Sequence, residues 1–272
     1  MSFRDRYGPW ALVAGASDGI GEAFARRIAE RGVNVLLLAR REALLAHLAE
    51  EIRAQHGVEA RPLVADLTAD DLDARVEAAT RGLEVGLLVY NAGAVHGVGA
   101  FHEQPLAHAR QLVALNCTGP VLLAHRLGGP MRARRRGGIV LVTSMVALAG
   151  SAHVATYAAS KSFDWILAQS LWHELQPHGV DAMAAVVGMT RTPSLLASQP
   201  AFPPGIPPME PDEVAPGALD FLGRGPVWFA GKVNRAAAQS LAALPRPALI
   251  DTMSRLTASL YAIPHVAARG EE

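Results

Sequence analysis

The chain has 272 residues, half of them hydrophobic, which is enough for one large core and is a usual length for a single α/β domain. Lysine plus arginine equal aspartate plus glutamate at 25 each, so no overall charge favours nucleic acid or a membrane surface. Cys117 is the single cysteine, which excludes an internal disulfide and fits a reducing cytoplasm. No run of about 18 apolar residues predicts a membrane span. We therefore expect one cytoplasmic domain over residues 1–272, with no nucleic-acid partner.

The first predicted elements are a short buried strand, Trp10–Ala14, and a helix, Glu22–Arg31. Between them lies the turn Gly15-Ala16-Ser17-Asp18-Gly19-Ile20-Gly21, with glycines spaced Gly-x-x-x-Gly-x-Gly. Glycines permit a tight turn and the close approach of a pyrophosphate, and a helix N-terminus offers free N–H groups. A plain turn is the alternative, but the order strand, glycine turn and helix favours a dinucleotide site.

The end of the second predicted strand, Val33–Ala39, bears on the choice of cofactor. An NAD enzyme usually carries an acid about 20 residues past the glycines, where it binds a ribose hydroxyl. Ala39 cannot bind that hydroxyl and would not repel a phosphate, and Arg40 and Arg41 follow it. Because the arginine fork suits a 2′-phosphate, the sequence favours NADP(H) over NAD(H), with Arg40 as the main contributor. The alternative is that the two arginines only begin a solvated helix.

The rest of the chain alternates between strands and helices. Short apolar runs predict further strands at Ala60–Ala65, Gly86–Asn91, Gly138–Ser144, Asp181–Val187 and Pro226–Ala230. Helical periodicity covers Arg41–His56, Leu72–Arg81, Pro105–Arg136 and Ala155–Pro177. Repeated βα units predict the α/β class, a Rossmann-like doubly wound parallel sheet of about seven strands with helices on both faces.

Two segments follow the sixth predicted strand. Residues Gln199–Pro216 are dense in proline, so we expect no regular helix or strand there. A long irregular stretch next to a nucleotide site is more often a lid than a linker, so we expect a lid in this region. An amphipathic pattern predicts a C-terminal helical segment at about 235–262.

An acid–base pair is predicted within the helix Ala155–Pro177. Tyr157 and Lys161 are four residues apart and share one helix face, so an ammonium lies within reach of a phenol. A free tyrosine, with a pKa of about 10, is a poor catalyst near neutrality, and a positive neighbour favours its phenolate. Chance could explain this spacing alone, but Ser144 at the end of the fifth strand supports a catalytic set.

Taken together, these residues resemble the short-chain dehydrogenase/reductase family over about residues 8–195. The family's glycine turn, Asn-Asn-Ala-Gly motif and Pro-Gly motif are present in order, with Ala14, Tyr90 and Val187 as departures. By this resemblance the catalytic residues are Asn116, Ser144, Tyr157 and Lys161. The cofactor-binding residues are Gly15, Ser17, Asp18, Gly19, Ile20, Gly21, Arg40, Arg41, Asp66, Leu67, Asn91, Ala92, Gly93, Tyr157, Lys161, Gly188, Thr190 and Thr192.

The resemblance implies an NAD(P)-dependent oxidoreductase of CH–OH and carbonyl groups, with its substrate loop at about 190–216. We expect no metal, because His96, His102 and His153 lack the tight spacing of metal ligands. Tyr157 would donate a proton to the carbonyl oxygen, and Ser144 would hold that oxygen. Lys161 would bind the nicotinamide ribose, while Asn116 would hold a water that links the lysine to solvent. Asp18 argues weakly against NADP(H), because many relatives that prefer it carry a basic residue beside the second glycine.

The candidate pocket residues are mostly apolar, which favours a ketone or secondary alcohol with an apolar, lipid-, polyketide- or steroid-like body. They are Met145, Val146, Ala147, Leu148, Ala149, His153, Met189, Leu195, Leu196 and Phe202. One alternative is a reductase of carrier-bound 3-oxoacyl thioesters, docked by the basic tract Arg132–Arg136. Another is a non-catalytic dinucleotide sensor, since a fold does not by itself give a function.

The helix Ala155–Leu175 carries more apolar surface than one sheet face needs. A helix that is hydrophobic around most of its circumference must be covered on both sides, and a symmetric pair of subunits is the common solution. Relatives form a four-helix interface here, so we expect a homodimer or homotetramer. The alternative is that Arg235–Tyr261 folds back over this surface within one chain.

Overall fold

Seven parallel strands form one sheet in the computed structural model, which describes residues 2–93, 95, 97–202 and 207–264. The sheet order is β3-β2-β1-β4-β5-β6-β7, so the chain reverses its direction of growth between β1 and β4. This confirms the predicted doubly wound α/β sheet. The strands are β1 Trp10–Ala14, β2 Asn34–Ala39, β3 Ala60–Val64, β4 Val85–Tyr90, β5 Gly137–Ser144, β6 Val180–Val187 and β7 Val227–Phe229.

Helices cover both faces of this sheet. In chain order they are α1 Phe3–Tyr7, α2 Gly19–Glu30, α3 Glu42–His56, α4 Leu72–Thr80, α5 Leu106–Val113, α6 Gly119–Ala133, α7 Ala155–Leu175, α8 Pro193–Ala197, α9 Pro211–Phe221, α10 Gly231–Ala242 and α11 Arg246–Leu260. Alternate residues of β1 point to opposite faces, as the pleat of a strand requires. Val13 packs on the side of Phe24 in α2, whereas Leu12 packs on the side of Leu123 in α6.

The helix predicted over Pro105–Arg136 is interrupted by a π-helical turn at Ala114–Thr118. There the Gly119 amide donates to the carbonyl of Ala114, five residues back. In this register the Leu115 carbonyl would need the N–H of Pro120, which has none. The Tyr90 hydroxyl donates to that carbonyl instead, at 2.5 Å. The prediction of one continuous helix was therefore wrong at this turn, because the turn is stabilised by Tyr90 of β4.

Regular structure also extends into the proline-rich segment. We predicted no helix over Gln199–Pro216, but α9 begins at Pro211 and includes Pro216. Proline is tolerated as the first helical residue, because that N–H has no intrahelical partner. The Glu210 amide donates to the Glu213 carboxylate at 2.7 Å, which stabilises the start of the helix. The rest of the predicted substrate loop includes the short helix α8, and residues 203–206 lie outside the described part of the chain.

The C-terminal segment forms two helices, α10 and α11, rather than one, and they separate before Pro245. Leu249 and Met253 of α11 pack against Ala149, in the segment that follows β5. They leave Phe163 and Ile166 of α7 exposed. Within the described ranges, none of these helices combines the length and apolarity that crossing a bilayer would take.

Candidate active site

The predicted site residues meet at the carboxyl ends of β1, β4 and β5. Gly15, Asn91 and Ser144 stand at or directly after the last residues of these three strands. The first two strands are the neighbours between which the sheet order reverses. In doubly wound sheets this reversal opens a crevice where ligands bind.

The glycine turn has no room for side chains. Gly15 and Gly19 have φ values of 81° and 56°, in the left-handed region that favours glycine. A β-carbon on Gly21 would lie 1.9 Å from the Gly15 carbonyl oxygen. The side-chain amide of Asn91 donates to that same oxygen at 3.2 Å, which connects the end of β4 to the turn. The turn therefore brings a bare backbone and the N-terminus of α2 together, as a bound pyrophosphate requires.

The segment after β6 closes over the glycine turn. A β-carbon on Gly19 would lie 2.8 Å from the Thr192 methyl group, so these two residues face each other. Thr190 is buried and donates to the Gly188 carbonyl at 3.3 Å. Gly188 itself packs against Asn234 of α10, where a β-carbon would be only 2.4 Å from the amide oxygen. Asn234 was not among the predicted site residues, because nothing around it in the sequence marks it.

The two arginines after β2 contact different segments of the chain. Arg41 donates to the Ser17 hydroxyl at 2.6 Å and pairs with Asp18, which neutralises the acid within the glycine turn. Arg40 is largely exposed and lies 3.8 Å from the Asp66 carboxylate. Arg41 thus has the closer contact with the glycine turn, although the sequence pointed first to Arg40.

Asp66 is fixed at the end of β3 by its neighbour Thr68. One carboxylate oxygen accepts from the Thr68 amide at 2.9 Å and from its hydroxyl at 2.8 Å. Burial opposes ionisation of Asp66, but the two hydrogen bonds and the charge of Arg40 outweigh it and lower its pKa. The buried Leu67 follows directly. Asp66 is therefore held as an oriented carboxylate that can accept further hydrogen bonds.

Asn116 and Lys161 meet beside Gly93. Asn116 is fully buried in the π-helical turn, and its side-chain amide donates to the Ser160 hydroxyl at 2.9 Å. The Lys161 ammonium donates to the carbonyl of Val142 in β5 at 3.0 Å. A β-carbon on Gly93 would lie 2.9 Å from Lys161 Nζ and 3.3 Å from Asn116 Oδ1. The glycine of the Asn91–Gly93 motif thus makes room for both polar groups.

A buried carboxylate also contacts the lysine. Asp164 lies three residues further along α7, and its Oδ2 is 2.9 Å from Lys161 Nζ. Burial disfavours the ammonium, but attraction to Asp164 and Tyr157 outweighs it and raises the pKa of Lys161. Burial also disfavours the charged form of Asp164 and raises its pKa, although the positive charge of Lys161 opposes this rise. Asp164 was not among the predicted site residues. Its one signal in the sequence is an acid three residues after the lysine, in an otherwise apolar stretch.

Tyr157 lines a cavity of about 230 Å³ at the start of α7. Its apolar walls include Phe101, Leu106, Leu112 and Val154, and its polar walls include His102, His108 and His153. Of the pocket residues predicted from the sequence, only His153 lines this cavity. The Ser144 hydroxyl accepts from the Val146 amide at 3.3 Å, which holds the turn after β5.

The C-terminal helix also reaches this region. The Ala201 amide in the substrate loop donates to the Leu260 carbonyl at 2.7 Å. Burial and the nearby Tyr157 raise the pKa of Tyr261 to about 12, although a hydrogen bond with Ser198 opposes this. Tyr261 was not among the predicted site residues, because its distance along the sequence from Tyr157 gives no hint of their proximity.

The geometry fits a nicotinamide dinucleotide. The bare glycine turn would hold the pyrophosphate, Asp66 and Leu67 would contact the adenine, and Asn91 to Gly93 would lie beside the ribose. When bound, the cofactor supplies or accepts a hydride. Tyr157 can then give a proton to a carbonyl oxygen or take one from a hydroxyl.

Comparison with known proteins agrees with this geometry. A family model for the short chain dehydrogenases matches residues 9–201. The chain is 31% identical to a 7β-hydroxysteroid dehydrogenase of Clostridium sardiniense over 257 residues, which covers 94% of this chain and 98% of that protein. A structure solved in work on 7β-hydroxysteroid dehydrogenase stereoselectivity superposes with a TM-score of 0.87 at 31% identity, covering 93% of this chain and 99% of that one. A short-chain dehydrogenase of Sphingobium yanoikuyae in complex with NADPH gives a TM-score of 0.75 at 30% identity, over 88% and 97% of the two chains.

A doubly wound sheet with a glycine turn at its switch point defines the class of dinucleotide-binding α/β proteins. Within that class, the chain belongs to the short-chain dehydrogenase family. It is an NAD(P)-dependent enzyme that interconverts hydroxyl and carbonyl groups, as the sequence predicted.

Proposed function

We propose that the enzyme prefers NADP(H) and interconverts a ketone and a secondary alcohol on a bulky apolar body of the steroid-like class. Tyr157 is the acid–base residue, Ser144 holds the reacting oxygen, Lys161 supports the tyrosine and binds the ribose, and Asn116 connects the lysine to solvent. The observation that carries this proposal is the buried Lys161 beside Asn116, on the helix whose Tyr157 lines a largely apolar cavity.

The similarity to a 7β-hydroxysteroid dehydrogenase over nearly the whole chain supports a substrate of steroid-like size. The basic tract gives no support to carrier docking. Arg134 donates to the Val85 carbonyl, Arg135 to the Pro177 carbonyl at 2.8 Å and Arg136 to the Asp5 carbonyl at 2.9 Å. Val85 begins β4 and Pro177 precedes β6, so these arginines lie at the edge of the sheet opposite the site.

The preference for NADP(H) rests on the residues after β2. The buried Ala39 offers no acid for a ribose hydroxyl, and Arg40 and Arg41 supply two guanidinium groups at that position. The acid that argued against NADP(H), Asp18, is paired with Arg41 and so presents less negative charge to a phosphate. A relative solved with NADPH is consistent with this preference.

We further propose a cytoplasmic homodimer or homotetramer paired through α6 and α7. Ile166 is 62% exposed and Phe163 39% exposed on α7, and Val121 is exposed on α6. The C-terminal helices pack on the segment after β5 and so leave these side chains open to a second copy. The single cysteine is consistent with a reducing compartment.

A carbonyl panel tests the proposal. Oxidation of NADPH and of NADH is followed by absorbance with steroid-like cyclic ketones, small aliphatic ketones and a 3-oxoacyl thioester. We expect turnover with the bulky ketones, faster with NADPH. Cofactor binding without turnover on any carbonyl would favour a sensor, and preference for the thioester would favour an acyl reductase.

A further inference from the structure

The ion pair between Lys161 and Asp164 is the one feature of the site that the proposed chemistry leaves unused. Both side chains are almost completely buried, 4% and 1% exposed respectively. A buried charge is costly unless it is paired and hydrogen-bonded, so each of these groups depends on the other. The following inference rests on the proposed role of Lys161.

The contacts of the ammonium show how it is oriented. An ammonium has three N–H donors, of which Val142 O takes one and Asp164 Oδ2 takes a second. One donor is left for a ligand or a water. Asn116 Oδ1 and Asp164 Oδ1 are buried acceptors with no partner of their own among the described residues. The lysine therefore stands in a polar environment that is only partly satisfied.

Asp164 supplies the one carboxylate that forms an ion pair with the lysine in the described part of the chain. Tyr157 and Cys117 also face Lys161, and Tyr90 and Cys117 face Asp164. Burial raises the pKa of the Cys117 thiol and of the Tyr90 phenol, so both are neutral near pH 7. Among the described residues, the Asp164 carboxylate is thus the group that compensates the charge of the ammonium.

We propose that Asp164 is a positioning residue for the reaction, whose buried carboxylate holds the Lys161 ammonium in its charged form and in fixed orientation beside Tyr157 and Asn116. The carboxylate does not contact substrate or cofactor; it acts through the lysine. Without it, burial would favour the neutral amine, since buried lysines lose their proton far more readily than exposed ones. Tyr157 would then lose the positive neighbour that favours its phenolate.

Asp164→Asn tests this, because it keeps the shape of the side chain and removes the charge. The pH dependence of kcat/KM is measured for oxidation of an alcohol accepted by the wild type, where the acidic limb reports formation of the phenolate. We expect that limb to move to higher pH by about one unit or more. Asp181→Asn is the matched control, because Asp181 is also ion-paired, with Arg6, but at the opposite edge of the sheet. Its limb should not move.

An unchanged limb in Asp164→Asn, or one that moves to lower pH, would overturn the proposal. The second result would mean that the lysine stays charged without its partner. If the asparagine variant does not fold, Asp164→Ser replaces it, because the smaller side chain leaves space for water at the ammonium.

A second measurement does not depend on turnover. Urea unfolding is followed for Lys161→Met, Asp164→Asn and the double variant, and we expect the double variant to be less destabilised than the two single losses added together. Additive losses would overturn the proposal. Full turnover in Lys161→Met, or no carbonyl turnover in the wild type, would instead contradict the proposed function, and the unfolding cycle would still report on the ion pair.

Discussion

Replacement of Arg41 by alanine should change cofactor choice more than any other single surface substitution. Arg41 contacts Ser17 and Asp18 within the glycine turn, so a 2′-phosphate bound at the end of β2 would lie within reach of its guanidinium. A charge-assisted hydrogen bond contributes roughly 1.5–3 kcal/mol, and the side chain is half exposed, which favours the lower end. About 1.4 kcal/mol corresponds to a factor of ten. We therefore expect Arg41→Ala to weaken NADPH binding about tenfold and to leave NADH binding little changed.

The loss of Arg41 also frees the Asp18 carboxylate, whose charge would oppose the phosphate. Binding of both reduced cofactors is measured by fluorescence titration for Arg40→Ala, Arg41→Ala and the double variant. The sequence pointed first to Arg40, and the single variants will separate the two contributions. Arg61→Ala is the control, because Arg61 has an equally exposed side chain, paired with Glu59 away from the glycine turn. Equal losses for NADPH and NADH would refute the assignment of these arginines to the phosphate.

The other predictions concern the reaction, the glycine turn and assembly. Tyr157→Phe should lower turnover by about 10² or more with cofactor affinity unchanged, because it removes only the transferable proton. Steady-state kinetics and a cofactor titration will check this. Activity within a few-fold of wild type would exclude Tyr157 as the acid–base residue. Gly21→Ala should weaken binding of both cofactors, since its β-carbon would lie 1.9 Å from a backbone oxygen, and unchanged titrations would contradict that. Ile166→Glu should yield a monomer by light scattering. Val233→Glu, at a similarly exposed residue of α10, should not. A monomeric wild-type protein would contradict the proposed oligomer.

The central strands were predictable because β1, β4, β5 and β6 are short apolar runs that are buried along nearly their whole length. The run Gly138–Ser144, for example, differs from observed β5 by one residue at its start. Local signals also marked the glycine turn and the spacing of Tyr157 and Lys161, because these depend on neighbours within one strand, turn or helix. Whether the catalytic residues act as assigned stays a prediction for the variants above.

The features that were missed depend on contacts between distant segments. The π-helical turn before α6 depends on Tyr90 of β4 as well as on Pro120. The helical pattern of the sequence does not indicate the contact with this tyrosine. Asn234 and Tyr261 reach the site only because the C-terminal helices return to it. Asp164 is a different case, since its spacing from Lys161 was visible but its burial was not.

Helix α1 and the end of helix α11 lie at opposite edges of the sheet, and this matters for handling the protein. Tyr7 donates to Asp181 at 2.7 Å near the start of β6, whereas Leu260 is bonded to the substrate loop. An affinity tag or surface linker joined beyond α11 would therefore crowd the entrance to the catalytic crevice. The same attachment before α1 would face away from it, so immobilisation through the amino end should preserve access for a bulky ketone.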